Sequence, residues 1–323
     1  MATFARPQRA LVSGASGFIG SRLCARLCAL GFEVHGISRR EVSPVQDGIH
    51  WHRANLADFD SARAVVRAVR PDLFFHLASH VSGSRDLAAL MPTFRDNLAS
   101  TVHVLTALAE TGCSRCVLAG SLEEPDFGRG QIVPGSPYAA AKGATSLYAG
   151  LFHELYGLPV AMARIFMVYG PGQRDTAKLV PYAIRSFLRG EQPSFSSGVR
   201  LVDWVYVDDV VEGLIALVRD PRAEGRTVDL GSGELYTVRD VVLEIANLIG
   251  VEDSITFGCL PDRPMEQVRR ANLADTEATI GWRPRIGLSE GLGRTVAAYR
   301  RLLEHEAGRA ARERARSYQL GAQ

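Results

Sequence analysis

Gly14-Ala15-Ser16-Gly17-Phe18-Ile19-Gly20 is a G-x-x-G-x-x-G run. It leaves a strand-like stretch, Arg9-Ala10-Leu11-Val12-Ser13, and opens a helical pattern over residues 18–30 in which Ile19, Leu23 and Leu27 share a face. That placement matters more than the letters. Glycine permits the tight turn and lets the backbone come close to a phosphate. A strand before and a helix after put backbone N–H groups and a helix N-terminus where they can hold a pyrophosphate. A glycine-rich turn with no ligand is the plainer alternative, and the flanking elements reduce it to a minor one.

The same rhythm continues outward. Strands are predicted at 33–37, 49–52, 72–78 and 115–119, and helices at 61–69 and 97–110. Ser136-Pro137 is a helix start, with Ser as N-cap and Pro at the first helical position, and the pattern runs to about Tyr156 before Gly157. A further strand follows at 158–166. This alternation predicts an α/β fold built on a doubly wound parallel sheet. Beyond Gly170 the rhythm loosens, although helices are expected at 210–218 and 238–248. The expected division is a cofactor-binding domain over 1–168, with 201–235 returning to it. A smaller C-terminal α/β substrate domain is expected from 169–200 and 236–310, with a tail at 311–323.

Composition narrows the function classes. The chain has 323 residues, 46% of them hydrophobic and 22% charged, which excludes a mainly disordered protein. Its 31 glycines follow no collagen period, and a net charge of +2 is too balanced for a protein living by nucleic-acid electrostatics. No apolar run has membrane-spanning length, no export signal is read, and the cytoplasm is the expected compartment. Cys113 and Cys116 form a C-x-x-C, but no second pair completes a zinc site, so no metal is expected.

At the end of the second strand an acidic residue would favour NAD through the ribose hydroxyl. The chain has Ser38-Arg39-Arg40 there, and an arginine can pair with a 2′-phosphate and stack on adenine. NADP(H) is therefore expected over NAD(H), with two solvated surface arginines as the bland alternative. Tyr138 and Lys142 lie four apart on the helix beginning at Pro137, on one face. An adjacent ammonium favours the phenolate, so such a tyrosine can take a proton from a carbinol or give one to a ketone. Ser121 follows the strand at 115–119, at the carboxyl edge where open α/β sheets bind ligands, and its hydroxyl could donate to the reacting oxygen.

With these residues in place the chain resembles the extended short-chain dehydrogenase/reductases, specifically the NAD(P)-dependent epimerase/dehydratase family that modifies nucleotide sugars. The resemblance spans roughly residues 9–300. Besides the glycine run, Ser121, Tyr138 and Lys142, it rests on Phe75-His76-Leu77-Ala78-Ser79, Asn97, and Arg164-Ile165-Phe166-Met167-Val168-Tyr169-Gly170-Pro171. Asp203-Trp204-Val205-Tyr206-Val207-Asp208-Asp209-Val210 and Gly281-Trp282-Arg283-Pro284 complete it.

The resemblance implies a Rossmann domain whose cofactor touches Gly14, Ser16, Gly17, Phe18, Ile19, Gly20, Ser38, Arg39, Arg40, Asn55, Leu56, Leu77, Ala78 and Ser79, together with Tyr138 and Lys142. It implies a nucleotide-diphosphate sugar substrate near His80, Met167, Lys178, Arg200 and Arg263. It also implies a homodimer formed through helices 97–110 and 137–156; from charge and hydropathy no nucleic-acid or membrane partner is expected.

The departures carry information. Met167 stands where relatives have a substrate-contacting Asn, and Val202 where they have an Arg. Arg200, two residues earlier, would share a strand face with Val202 and could reach the phosphate instead; Arg263 is a second candidate and Lys178 a third. In the run Gly120-Ser121-Leu122-Glu123-Glu124-Pro125, Glu123 matches the base of sugar dehydratases and a Glu of decarboxylases. Leu122 replaces the acid or hydroxyl, and leucine cannot be a general acid. The Val-Tyr-Gly usual after this loop is missing. The expected activity is a C4 ketoreductase or epimerase acting by hydride transfer with Ser121, Tyr138 and Lys142. A Glu123-based dehydratase or decarboxylase is the first alternative, and a non-sugar carbonyl reductase or a non-catalytic NADP(H) sensor the second.

Overall fold

A computed structural model of the chain describes residues 7–40, 45–126, 133–251, 255–263 and 265–320. Strands β1 (Arg9–Ser13), β2 (Glu33–Ser38), β4 (Ile49–Arg53), β5 (Leu73–His76), β6 (Arg115–Ser121), β7 (Val160–Ile165) and β10 (Thr227–Leu230) form a parallel sheet in the order β10-β7-β6-β5-β1-β2-β4. The short β3 (Val45–Gln46) adds an antiparallel edge beside β4. The strand order reverses at β1, between β2 and β5, which opens a crevice at the carboxyl ends of these strands. The chain is thus a doubly wound α/β fold of Rossmann type.

The sheet is apolar on both faces. Ala10, Val12, Phe75, Val117 and Ala161 join one buried cluster, closed by α1 (Phe18–Ala29) and α7 (Val207–Arg219). Leu11, Phe74, Leu118 and Val160 join the other, under α2 (Phe59–Val69), α4 (Ser100–Thr111) and α5 (Pro137–Tyr156). Alternate residues of one strand feeding opposite clusters is the pattern of a sheet covered on both sides.

A smaller sheet, β11 (Leu235–Thr237), β9 (Leu201–Tyr206) and β8 (Met167–Tyr169), packs with α6 (Leu179–Leu188), α8 (Val238–Ile249) and α10 (Leu288–Leu320) around a third cluster containing Tyr169, Ile184, Trp204 and Leu292. The stretch expected to return at 201–235 is therefore divided. Its α7 and β10 lie on the large sheet, whereas β9 pairs with β8 and β11. The stretch 236–310 is divided too, because α9 (Leu273–Ile280) packs on β10 and α7, and Trp282 joins the first cluster. The last strand of the large sheet would otherwise leave its α7-side surface uncovered. The backbone of residues 311–320 continues α10, and 321–323 of the expected tail lie outside the described residues.

Asp203 stitches the two sheets together. Its carboxylate, 1% exposed, accepts from Ser232 N and Oγ, Gly233 N and Ala271 N at 2.6–2.9 Å. Burial raises its pKa and these hydrogen bonds oppose the rise. Asp209 does the same for Ile286 N at 2.9 Å. The helix expected to open at Asn97 begins earlier. α3 (Leu90–Thr93) runs through a π-helical turn, Phe94–Ala99, into α4. Pro92 does not prevent this, since proline is tolerated in a first turn. Among the described residues, no helix is long and apolar enough to cross a membrane.

Candidate active site

The glycine turn is built for close approach. Gly14 has φ +68°, and a side chain there would meet Ala78 N and Leu77 C at 2.8 Å. A Cβ on Gly20 would overlap the Gly14 carbonyl, and Gly17 N donates to Gly14 O at 2.8 Å. The turn therefore folds onto the end of β5 and leads into the N-terminus of α1, whose N-cap Gly17 has no side chain to occupy the first amides. A cradle that a Cβ would fill fits a dinucleotide pyrophosphate.

The neighbouring predicted cofactor residues sit around this turn. Ser16 and Phe18 flank it, Ile19 packs against the first core cluster, and Leu77-Ala78-Ser79 follow β5. Ser13 Oγ accepts from Leu77 N and Ala78 N at 3.1 and 3.2 Å, which fixes the 77–79 backbone beside the turn. Ser38 ends β2, its Oγ accepting from Arg40 N at 3.1 Å, and the exposed Arg39 reaches Asp96 at 3.3 Å. Asn55 is exposed and caps its own turn through Ala57 N at 3.2 Å. Leu56 is 6% exposed and its side chain lies in the second core cluster, so that position can offer a ligand little beyond backbone.

Ser121, Tyr138 and Lys142 come together at the sheet's carboxyl edge. Ser121 is the last residue of β6 rather than a residue beyond it. The Tyr138 hydroxyl faces the hydroxyls of Ser121 and Ser79. Lys142 Nζ lies 5.8 Å from the Tyr138 ring centroid and donates to Ala119 O at 2.6 Å. Burial raises the phenol's pKa above the ordinary tyrosine value; the nearby Ser121 and Ser79 hydroxyls oppose this and Glu123 and Glu124 reinforce it. Burial draws the Lys142 ammonium down to about 8, with the Glu124 charge opposing. His76, wholly buried beside Lys142, is pulled down to about 3 by burial and is neutral; its Nδ1 lies 2.8 Å from Ser13 Oγ.

The loop after β5 is held by Asn97, 2% exposed on the π-helical turn. Its Oδ1 accepts from His80 N at 2.6 Å and Ser79 Oγ at 3.2 Å, and its Nδ2 donates to His80 O at 3.1 Å.

A pocket beside Ser136 and Ala139 brings Glu123, Arg200 and Arg263 together with Arg85, Glu266 and Gln267. Arg200 precedes β9 and pairs with Glu266 at 2.9 Å, whereas Val202 is 3% exposed in the third core cluster. Met167 is partly buried against the first and third clusters, and Lys178 is the N-cap residue of α6. Neither these two nor His80 lines this pocket. Arg85, whose Nε donates to Gly135 O at 2.7 Å, was not legible in the sequence. Glu124, 2% exposed behind Ser121, and Ser146 were missed as well. Ser146 carried a signal: it lies four residues past Lys142 and eight past Tyr138, on the same helix face. Among the described residues no cluster of His, Cys, Asp and Glu is placed to hold a metal ion.

Comparison with known proteins agrees with this geometry. The model of the NAD dependent epimerase/dehydratase family matches residues 10–231. The UDP-glucose 4-epimerase of Mycolicibacterium smegmatis is 30% identical over 313 residues, covering 90% of this chain and 98% of the relative. UDP-glucuronic acid decarboxylase 1 of Xenopus tropicalis is 27% identical, covering 93% and 74%. The UDP-glucose 4-epimerase of Thermus thermophilus, solved as a complex with NAD, superposes with a TM-score of 0.80 at 28% identity, covering 91% and 99%. A glycine cradle at a strand-order reversal and a Ser-Tyr-Lys group at the sheet edge thus occur in a chain that belongs to the NAD dependent epimerase/dehydratase family and is an enzyme of the short-chain dehydrogenase/reductase type.

Proposed function

We propose that this enzyme acts on a nucleotide-diphosphate sugar as a C4 ketoreductase or epimerase, with NADP(H) preferred over NAD(H). The observation that carries the reading is the Ser121–Tyr138–Lys142 group next to the glycine cradle, adjoining a pocket walled by Arg200 and Arg263. When bound, the nicotinamide supplies or accepts the hydride. Gly14, Ser16, Gly17, Phe18, Ile19, Gly20 and the 77–79 backbone hold the dinucleotide, with Asn55 and the Leu56 backbone along its path. Arg39 and Arg40, at the end of β2, carry the charge that suits a 2′-phosphate. Arg200 and Arg263 suit the substrate diphosphate. His80, Met167 and Lys178 remain outer candidates for contact with the substrate.

Tyr138, kept protonated by its buried setting, gives its proton to a sugar carbonyl oxygen that Ser121 also holds. In the reverse direction it takes the carbinol proton, and the Lys142 ammonium stabilises the phenolate. Leu122, 6% exposed and packed in the first core cluster, offers no acid for loss of water. One observation favours a second reading: Glu123 lines the pocket and is placed to act as a base in dehydration or decarboxylation. We also propose a homodimer, because Leu147, Leu151 and Leu155 lie exposed along α5, and Leu90, Met91 and Phe94 lie exposed on α3 and the π-helical turn that pack against it.

Mass analysis of products from NADPH and a panel of nucleotide sugars, including 4-keto-6-deoxy forms, tests the reading. A gain of two hydrogens marks a reductase, and an unchanged mass with a shifted retention time marks an epimerase. Tyr138→Phe is expected to lower kcat by about 10²–10⁴-fold. Loss of water or carbon dioxide turns the assignment to Glu123. No change in any sugar overturns it, and a Tyr138→Phe protein at full activity removes the tyrosine's role.

A further inference from the structure

We propose that Glu124 is a positioning residue, a single buried carboxylate that locks the Ser121 end of β6 onto the face of α5 carrying Tyr138 and Lys142. The inference rests on the Ser-Tyr-Lys reading above. One oxygen, Oε1, accepts from Ser121 N at 2.6 Å. The other, Oε2, accepts from Ser146 Oγ at 2.9 Å, one turn along α5 from Lys142. The Lys142 Nζ bond to Ala119 O spans the same gap two residues before Ser121, so two polar ties set the strand against the helix. Gly120 makes room, since a Cβ there would overlap Glu124 Oε1. Where the resemblance leads one to expect Val-Tyr-Gly after the loop, Glu124-Pro125 installs this tie.

The carboxylate is also a local charge. Arg164 of β7 faces it at 3.7 Å and pairs with Asp229 of β10 at 2.9 Å. Asp229 in turn accepts from Asn272 N at 3.0 Å. Tyr138 and Lys142 face Glu124 from α5, Glu123 adjoins it in the loop, and His76 of β5 lies beyond Lys142. Across the loop, Arg269 donates to Leu122 O and pairs with Asp126, both at 3.4 Å. A buried carboxylate favours the ammonium of Lys142 and disfavours the phenolate of Tyr138, so its removal lowers both pKa values. The whole pH profile of turnover then moves to lower pH. A residue that only stabilised the fold would not move it.

The chain makes this directly measurable, because Lys142 and Lys178 are its only lysines. NMR of the full chain carrying ¹³C at the lysine ε position gives two side-chain signals, assigned with Lys178→Arg. Glu124→Gln keeps an oxygen for Ser121 N and removes the charge. It is expected to lower the Lys142 pKa by roughly 1 unit and to move the turnover profile the same way. Ser146→Ala keeps the charge and removes the anchor on α5. It is expected to lower kcat with the Lys142 pKa unmoved.

Lys142 titrating in Glu124→Gln where the parent protein does overturns the electrostatic part. Ser146→Ala at full kcat overturns the bridge, even if Glu124→Gln does not fold. The NMR reading needs no substrate. A shifted Lys142 in a protein that turns over no nucleotide sugar therefore refutes the proposed function and leaves this inference standing.

Discussion

Arg39 and Arg40 show what one residue's neighbourhood can decide. The side chain of Arg39 is 72% exposed, and its bond to Asp96 at 3.3 Å leaves most of its fork free to take a phosphate. Replacing both arginines by alanine is expected to lower the ratio of NADPH to NADH affinity at least about tenfold, the size of one charge-assisted hydrogen bond. Fluorescence titration with both nucleotides measures it, and an unchanged ratio removes the arginines from recognition. That these two arginines follow a strand end was legible in the sequence. Gly14, Gly20, Tyr138 and Lys142, whose spacing alone sets a turn or a helix face, were legible too. Glu124 and Arg85 were not. Their partners, Ser146 and Gly135, are 22 and 50 residues away, and no local pattern announces a bond across that separation.

Among the elements, α5 was the most readable. Ser136, Pro137 and Gly157 mark its ends, and Ser136 Oγ accepts from Ala139 N at 3.1 Å as an N-cap should. Ser136→Ala is expected to cost about 1 kcal/mol, seen as a fall in Tm of about 1–2 °C in a protein of this size. A variant melting with the parent would mean the cap is replaced by another acceptor. The helix before α4 was less readable. Its apolar pattern points to 97–110, yet the chain turns helical at Leu90, and the π-helical turn shifts the register so that Asn97 faces the 79–80 loop. A π turn inserts a residue that a 3.6-residue period cannot represent, and such turns are frequent at functional sites. The elements beyond Gly170 were blurred for another reason: three short strands and their helices fold into two different units, so sequence neighbours are not structural neighbours.

At the scale of the whole molecule, the exposed apolar face on α5 and the helix beside it is the feature that a monomer leaves unexplained. Leu147→Glu with Leu151→Glu is expected to halve the mass measured by light scattering, from dimer to monomer, with the fold intact by circular dichroism. A parent protein that is already monomeric would overturn the dimer. The pocket has a different character from this apolar face. Ser121 and Tyr138 are delivered by a strand and a helix, whereas Gly83, Arg85, Arg200, Arg263, Glu266 and Gln267 all come from segments without regular structure. Loops accept insertion and exchange far more readily than sheet or helix. If this pocket takes the substrate, descent with modification can rewrite which sugar is admitted while the proton-handling apparatus is inherited unchanged, and a laboratory library confined to Gly83, Arg85, Glu266 and Gln267 samples new substrates with the diphosphate arginines and the chemistry held constant.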